Sequence, residues 1–182
     1  MHFFFRTLLQ TLLGRFRSPL GAWDVASTPF RVLPTDLDLL RHMNNGVYLS
    51  VLDLARVDLM QRSGLYTTFT ERGWYPVVVA ETISFRRSLE LWQRFTVETR
   101  LLGFDEKACY VEQRFVVDGQ ISARAYVRAR FLKRSGGVVT VDEMRSLAGD
   151  APDDGRMPEW VREWGASSEL PPRKTATPSE WS

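Results

Sequence analysis

A chain of 182 residues, 44% apolar and 12% aromatic, is the size of one globular domain and too rich in core-forming side chains for bulk disorder. Its net charge of +2 gives no reason to expect nucleic acid as a partner, and its single cysteine, Cys109, excludes an intrachain disulfide framework and suits a cytoplasmic redox state. The two histidines, His2 and His42, argue against a His/Cys metal site, and no G-x-G-x-x-G, Walker loop or G-x-S-x-G elbow is present.

At the N-terminus Phe3, Phe4, Phe5, Leu8, Leu9, Leu12, Leu13 and Phe16 recur at helical spacing as one wide apolar stripe, and Arg6, Gln10, Arg15 and Arg17 occupy much of the rest. Arg6 and Gln10 interrupt the run that a spanning helix of roughly 20 apolar residues requires. A long apolar centre with a small-residue cleavage site is not evident either. Residues 1–20 therefore read as a separate amphipathic helix. Three readings stay open: a peripheral contact of residues 1–17 with the inner face of a membrane, a helix docked on the protein body or a second subunit, and an uncleaved anchor.

Residues 21–149 carry the patterns of the main domain. From Trp23 to Leu33 the chain reads as extended; Thr35 to Gly46 is polar and irregular. Asn44 and Asn45 suit a helix cap, and the helix is predicted over Gly46–Ser63 with Gly64 as its stop. Tyr48, Val51, Leu52, Ala55 and Leu59 recur at helical spacing, and Leu49, Leu54, Val57 and Met60 widen the apolar surface, so burial on most sides is expected. Strand patterns follow over Pro76–Arg87, Phe95–Phe104, Ala108–Val117 and Ile121–Leu132. In the last of these Ile121, Ala123, Ala125, Val127, Ala129 and Phe131 alternate with Ser122, Arg124, Tyr126, Arg128 and Arg130, which predicts one buried and one basic face. Asp118-Gly119 signals a hairpin turn, and Gly136-Gly137 a further turn into a short Val138–Val141 segment. Residues 150–182 read as an extension, partly disordered, with Trp160 and Trp164 in one helical turn. One strand, a long helix and four antiparallel strands suggest an α+β sheet wrapped around a central helix.

The chemistry concentrates in Thr35–Tyr48, where Asp36, Asp38, His42, Asn44 and Asn45 precede a helix start. Thioester hydrolysis needs a group that attacks the carbonyl or activates water, together with donors for the oxyanion. A carboxylate beside unpaired helix N–H groups supplies both. The plainer reading makes the same residues turn and cap formers only.

The string Asp36-Leu37-Asp38, His42-Met43-Asn44-Asn45 and Tyr48, followed by Leu49, Asp53, Ala55 and Arg56, resembles hotdog-fold thioesterases of the 4-hydroxybenzoyl-CoA type. It also resembles the thioesterase-like branch that includes thioesterase superfamily member six, and the likeness extends through Phe85–Leu89, Leu101–Asp105 and Ala166–Leu170. This resemblance implies a five- or six-stranded sheet curled around the helix, a homodimer or dimer of dimers with sites at the interface, an acyl-CoA or acyl-carrier-protein thioester as substrate, and no cofactor. It also implies Asp38 as the catalytic carboxylate, acting as nucleophile or as general base, and the backbone N–H of Asn45 as the oxyanion donor. Asp36, Asn44 and Tyr48 then belong to the substrate-binding surroundings, although Asp36 also reads as a loop brace and Tyr48 as a core aromatic. His42 is either catalytic or orients the loop, because Leu40 stands where a related string in plant thioesterases has Asn. Asp53 reads as the partner of Arg56 rather than as a second catalytic carboxylate. Arg86 and Arg87 are candidates for CoA phosphates, as are Arg128 and Arg130. A catalytically silent acyl-binding or membrane-associated scaffold is the alternative function.

Overall fold

The computed structural model describes residues 2–14, 16–152, 157–171 and 174–179, without the side chains of residues 2–4. Phe3, Phe4 and Arg15, counted above in the N-terminal helix, therefore lie outside the described side chains.

Helix α1 spans His2–Gly14, and strand β1 follows at Ala26–Arg31. A short 3-10 turn at Pro34–Asp36 leads through an irregular loop into α2, Asn45–Arg62. Asn44 caps this helix by accepting from the Gly46 N–H, and Gly64, with φ of 75°, provides the left-handed turn after its end. The short segment after Gly64 is a further helix, α3 (Leu65–Glu71). Four strands follow: β2 (Trp74–Phe85), β3 (Arg94–Phe104), β4 (Cys109–Val117) and β5 (Gln120–Lys133).

They form one antiparallel sheet in the order β1-β3-β4-β5-β2. The β4–β5 hairpin closes through Asp118 and Gly119, both at positive φ, as its right-handed twist favours. The inner face of the sheet packs on α2. Phe30, Phe95, Phe115, Ala123 and Ala125 meet Val47, Tyr48, Val51, Leu52 and Ala55 in one buried cluster. Alanines on β5 let the helix approach closely, and the α+β hotdog arrangement follows from that packing.

One helix was not anticipated from the sequence, and one sequence expectation is corrected. The Val138–Val141 segment makes only an isolated bridge from Val138 to Leu132, and the chain then enters helix α4 (Val141–Ala148). Its signal was the capping box Thr140-x-x-Glu143, whose hydroxyl and carboxylate exchange bonds with each other's backbone N–H groups. Moreover, the second face of β5 is not a basic solvated surface: Ser122, Tyr126 and Arg128 are buried. Helix α5 (Glu159–Ser167), longer than the single turn expected, lies against it. There Val161 and Trp164 join Leu102, Tyr110 and Tyr126 in a separate apolar cluster, and Trp160 meets the Tyr126 ring edge-on.

The two sheet edges differ. On β1, the carbonyls of Pro29 and Arg31 accept from Gln10 and Arg6, so α1 covers that edge. On β2, Tyr75, Val78, Val79 and Phe85 remain exposed.

Candidate active site

Residues 36–44 form a narrow loop held from within. Asp36 O accepts from Asn44 N at 2.8 Å, Leu37 bridges Met43, and Asp38 N donates to His42 O at 2.8 Å. Arg41, at φ of 63°, closes the tip by donating its N–H to Asp38 O. The same ladder sets the carboxylate strand of the loop beside the residues that start α2.

Asp38 is half-buried, and its Oδ1 accepts from the N–H groups of Leu40 (2.9 Å) and His42 (3.2 Å). Its Oδ2 has no hydrogen-bond partner among the described residues. At the helix start, Gly46 N donates to the Asn44 side chain, and Val47 N and Tyr48 N donate to Asn44 O. Among the described residues nothing accepts from the Asn45 N–H, which is left as the open donor of the first turn. A carboxylate with one fixed and one available oxygen and an unpaired helix N–H are therefore carried by one short loop.

The other sequence candidates divide. Asn44 serves as the cap through its side chain and ties the loop through its backbone. His42 is exposed, and its contribution to the loop is the backbone N–H on Asp38; its imidazole makes no hydrogen bond among the described residues. Asp36 is fully buried, and its oxygens accept from Arg6 and from the Leu33 N–H, so it braces the loop and presents no oxygen to a substrate. Tyr48 is likewise a buried core residue. Its ring packs edge-on against Phe85 and Phe115, its hydroxyl accepts from Leu89 N at 3.1 Å, and burial raises its pKa. The Leu89 carbonyl in turn accepts from Met43 N, so Tyr48 and Leu89 together hold the loop against the turn that follows β2.

Arg86 and Arg87 lie in that turn, exposed, with both backbone N–H groups on the Ser122 carbonyl and no carboxylate partner among the described residues. Arg128 and Arg130 are not available in that way. Arg128 is buried on Asp105 and Tyr110, and Arg130 pairs with Glu169. Asp53 pairs with Arg56, which also reaches Gln113.

Sequence reasoning missed two features. One is the grip of Arg6 on the loop. The other is an apolar cavity of about 300 Å³ between the C-terminal half of α2 and the sheet, lined by Val57, Met60, Phe69, Leu101, Val111 and Phe131, with Asp53 and Arg56 also on its wall. Alternation marked most of these residues as core but gave no sign that the core there is hollow. A larger surface hollow, about 810 Å³, lies between the residue 106–107 turn and the end of α5; Lys107 and Arg130 there are already paired with Glu169.

A model of the family described as the thioesterase-like superfamily matches residues 32–165. The Xenopus laevis protein THEM6 is 43% identical over 135 residues, which are 73% of this chain; the chain thus spans 63% of that relative's length. The Escherichia coli long-chain acyl-CoA thioesterase FadM is 29% identical over 102 residues, 55% of this chain and 77% of FadM. The crystal structure of the probable thioesterase YbaW from Escherichia coli superposes with a TM-score of 0.63 at 25% identity, covering 67% of this chain and 95% of YbaW.

Proposed function

This chain belongs to the thioesterase-like superfamily, and on that premise we propose that it hydrolyses acyl-CoA or acyl-carrier-protein thioesters to a free acid and a thiol, with Asp38 as the catalytic carboxylate. One observation carries the reading: the Oδ2 of Asp38 and the N–H of Asn45, both without a partner among the described residues, belong to the same braced loop. In the reaction, water adds to the thioester carbonyl as Asp38 takes its proton. The carbonyl electron pair moves to oxygen, where the Asn45 N–H stabilises it. Collapse breaks the C–S bond, and the proton passes to the leaving sulfur. The same placement lets Asp38 add to the carbonyl directly, giving an anhydride that water opens. Label from H₂¹⁸O entering the Asp38 side chain in a single turnover distinguishes this second route.

Arg86 and Arg87 suit the phosphates of CoA, being exposed cations close to Leu89 and the loop it supports. The cavity suits a hydrocarbon chain. Met60 on its wall lies fifteen residues along α2 from Asn45, about 22 Å of helix. A homodimer in which two β2 edges pair antiparallel relates the two α2 helices by a twofold axis and runs them in opposite directions. The N-terminus of one then lies toward the cavity end of the other, and the exposed Val78, Val79 and Phe85 on β2 are covered.

A thiol-release assay across acyl-CoAs of increasing length, repeated with Asp38→Ala and Asp38→Asn, tests the proposal. Hydrolysis by the parent chain and its collapse in both variants are expected. Activity surviving both substitutions overturns the assignment of Asp38, and no hydrolysis of any CoA or carrier-protein thioester overturns the enzymatic reading in favour of an acyl-binding protein.

A further inference from the structure

The orientation of α1 is the reverse of what its pattern suggests for a helix docked on its own domain. Its polar side chains face the protein: Arg6 reaches Asp36 and Arg31 O, Gln10 reaches Pro29 O, and just past the helix Arg17 reaches Asp58 and Gln10. Its apolar side faces outward, with Leu8, Leu9, Leu12 and Leu13 between 43% and 54% exposed and Phe16, just beyond, 88% exposed. A docked amphipathic helix ordinarily buries the apolar side, and a contiguous exposed patch of this kind marks an interaction surface.

The charge around the patch identifies its occupant. Residues 1–23 contain no carboxylate, and since Arg6 and Arg17 are paired with Asp36 and Asp58, the free cations at the patch edge come from the neighbouring strands. Beside α1, at the Arg31 carbonyl that Arg6 grips, Arg31 and Arg94 stand directly opposite one another in the β1–β3 register. Both are exposed, and neither has a carboxylate partner among the described residues. Like charges in that relation cost stability unless something anionic lies over them. Trp92 completes the edge, half-exposed, with the Arg31 guanidinium 5.4 Å from its ring centre. Aliphatic side chains rimmed by arginine and tryptophan match the boundary between hydrocarbon and headgroup. A second copy of the same face would bring cation against cation.

We propose that the outward face of α1, with Arg31, Arg94 and Trp92 at its edge, docks on an anionic lipid surface, the helix lying in the plane of the interface. Among the described residues no helix is long and apolar enough to cross a membrane, which fits a contact in the plane. The turn that carries Asp38 adds Leu39 and Leu40, both exposed, close to the loop that Arg6 holds. The proposal stands independently of the role of Asp38.

Co-sedimentation of the full chain with vesicles of phosphatidylcholine alone, and of an equal mixture with phosphatidylglycerol, tests it. The parent chain pellets with the mixture and several-fold less with phosphatidylcholine. A Leu8→Glu/Leu12→Glu variant, altered only at exposed positions and melting like the parent, stays in the supernatant. An Arg31→Gln/Arg94→Gln variant keeps the apolar face and loses roughly thirtyfold in affinity for the anionic vesicles. Equal pelleting of the parent and the glutamate variant overturns the proposal. So does a parent that pellets with neither vesicle; in that case a concentration-dependent oligomer, lost in the glutamate variant, identifies a second copy as the occupant.

Discussion

One guanidinium nitrogen of Arg6 donates to both carboxylate oxygens of Asp36, at 3.0 and 2.8 Å, with both side chains out of water. The pair joins the N-terminal helix to the loop two residues before Asp38, and the other terminal nitrogen of Arg6 holds the carbonyl of Arg31 at 2.8 Å. Replacing Arg6 by Ala leaves the Asp36 carboxylate buried without its cation. The expected loss is about 3–5 kcal/mol in urea unfolding. An Arg6→Met/Asp36→Leu double variant recovers much of it, because neither buried charge remains.

Asp38→Asn preserves the shape of the turn, since an amide oxygen still accepts from Leu40 and His42. Turnover of a hydrolysed acyl-CoA should therefore fall by about 100-fold or more, while the unfolding midpoint moves far less than for Arg6→Ala. A His42→Ala variant with parental turnover would assign that residue's part to its backbone N–H alone.

Acid stability should depend on two ion-paired carboxylates, Asp105 on Arg128 and Glu112 on Arg100 and Arg114. Burial pushes the Asp105 carboxyl up, but the Tyr110 hydroxyl, the N–H groups of Lys107 and Ala108 and the Arg128 guanidinium outweigh it, and its pKa ends below the ordinary value. Glu112 is also pushed up by burial and then brought lower by Arg114 and Arg100. A carboxylate whose folded pKa is depressed contributes stability that is complete above its unfolded pKa, about 4, and is lost as pH falls through the folded value. Melting temperature should hold from neutral pH to about 5 and then drop steeply. Asp105→Asn should melt lower at neutral pH and lose part of that acid dependence.

Cys109 is buried on β4 among the residues lining the cavity, and burial pushes its thiol up to about 12. A thiol-reactive reagent at mildly alkaline pH should leave the native chain unlabelled and react fully in urea. Rapid labelling of the native protein would mean that the sheet and α2 part easily at the cavity.

Gly165 allows α5 to meet Tyr110, because a Cβ at that position would overlap the tyrosine hydroxyl. Gly165→Ala should cost about 1–3 kcal/mol. The variant should also speed hydrogen exchange in α5 before it affects α2, since the helix must lift to make room.

Elements whose evidence is local were legible in the residues. The α2 helix, the four later strands and the Asp118-Gly119 turn follow from spacing and turn chemistry within about twenty positions. The Asp38–Tyr48 motif placed the candidate site on the loop before that helix. Long-range pairings were not legible, because periodicity reports which side of an element is apolar and not which side finds a partner. Arg6 and Asp36 are 30 residues apart, and Arg17 and Asp58 are 41 apart. Only folding sets those charges together, and doing so turns the polar side of α1 inward and leaves its leucines in solvent. In the same way part of the basic row on β5 became interior, with Arg128 buried and Tyr126 packed against α5, while Arg124 stayed exposed. The sequence by itself determined the long helix, the main strands, the Asp118-Gly119 turn and the carboxylate at the helix start, while the shorter helices α3 and α4 emerged only in the fold. The tertiary structure alone decided which face of each element is covered, because burial depends on partners brought from distant parts of the chain.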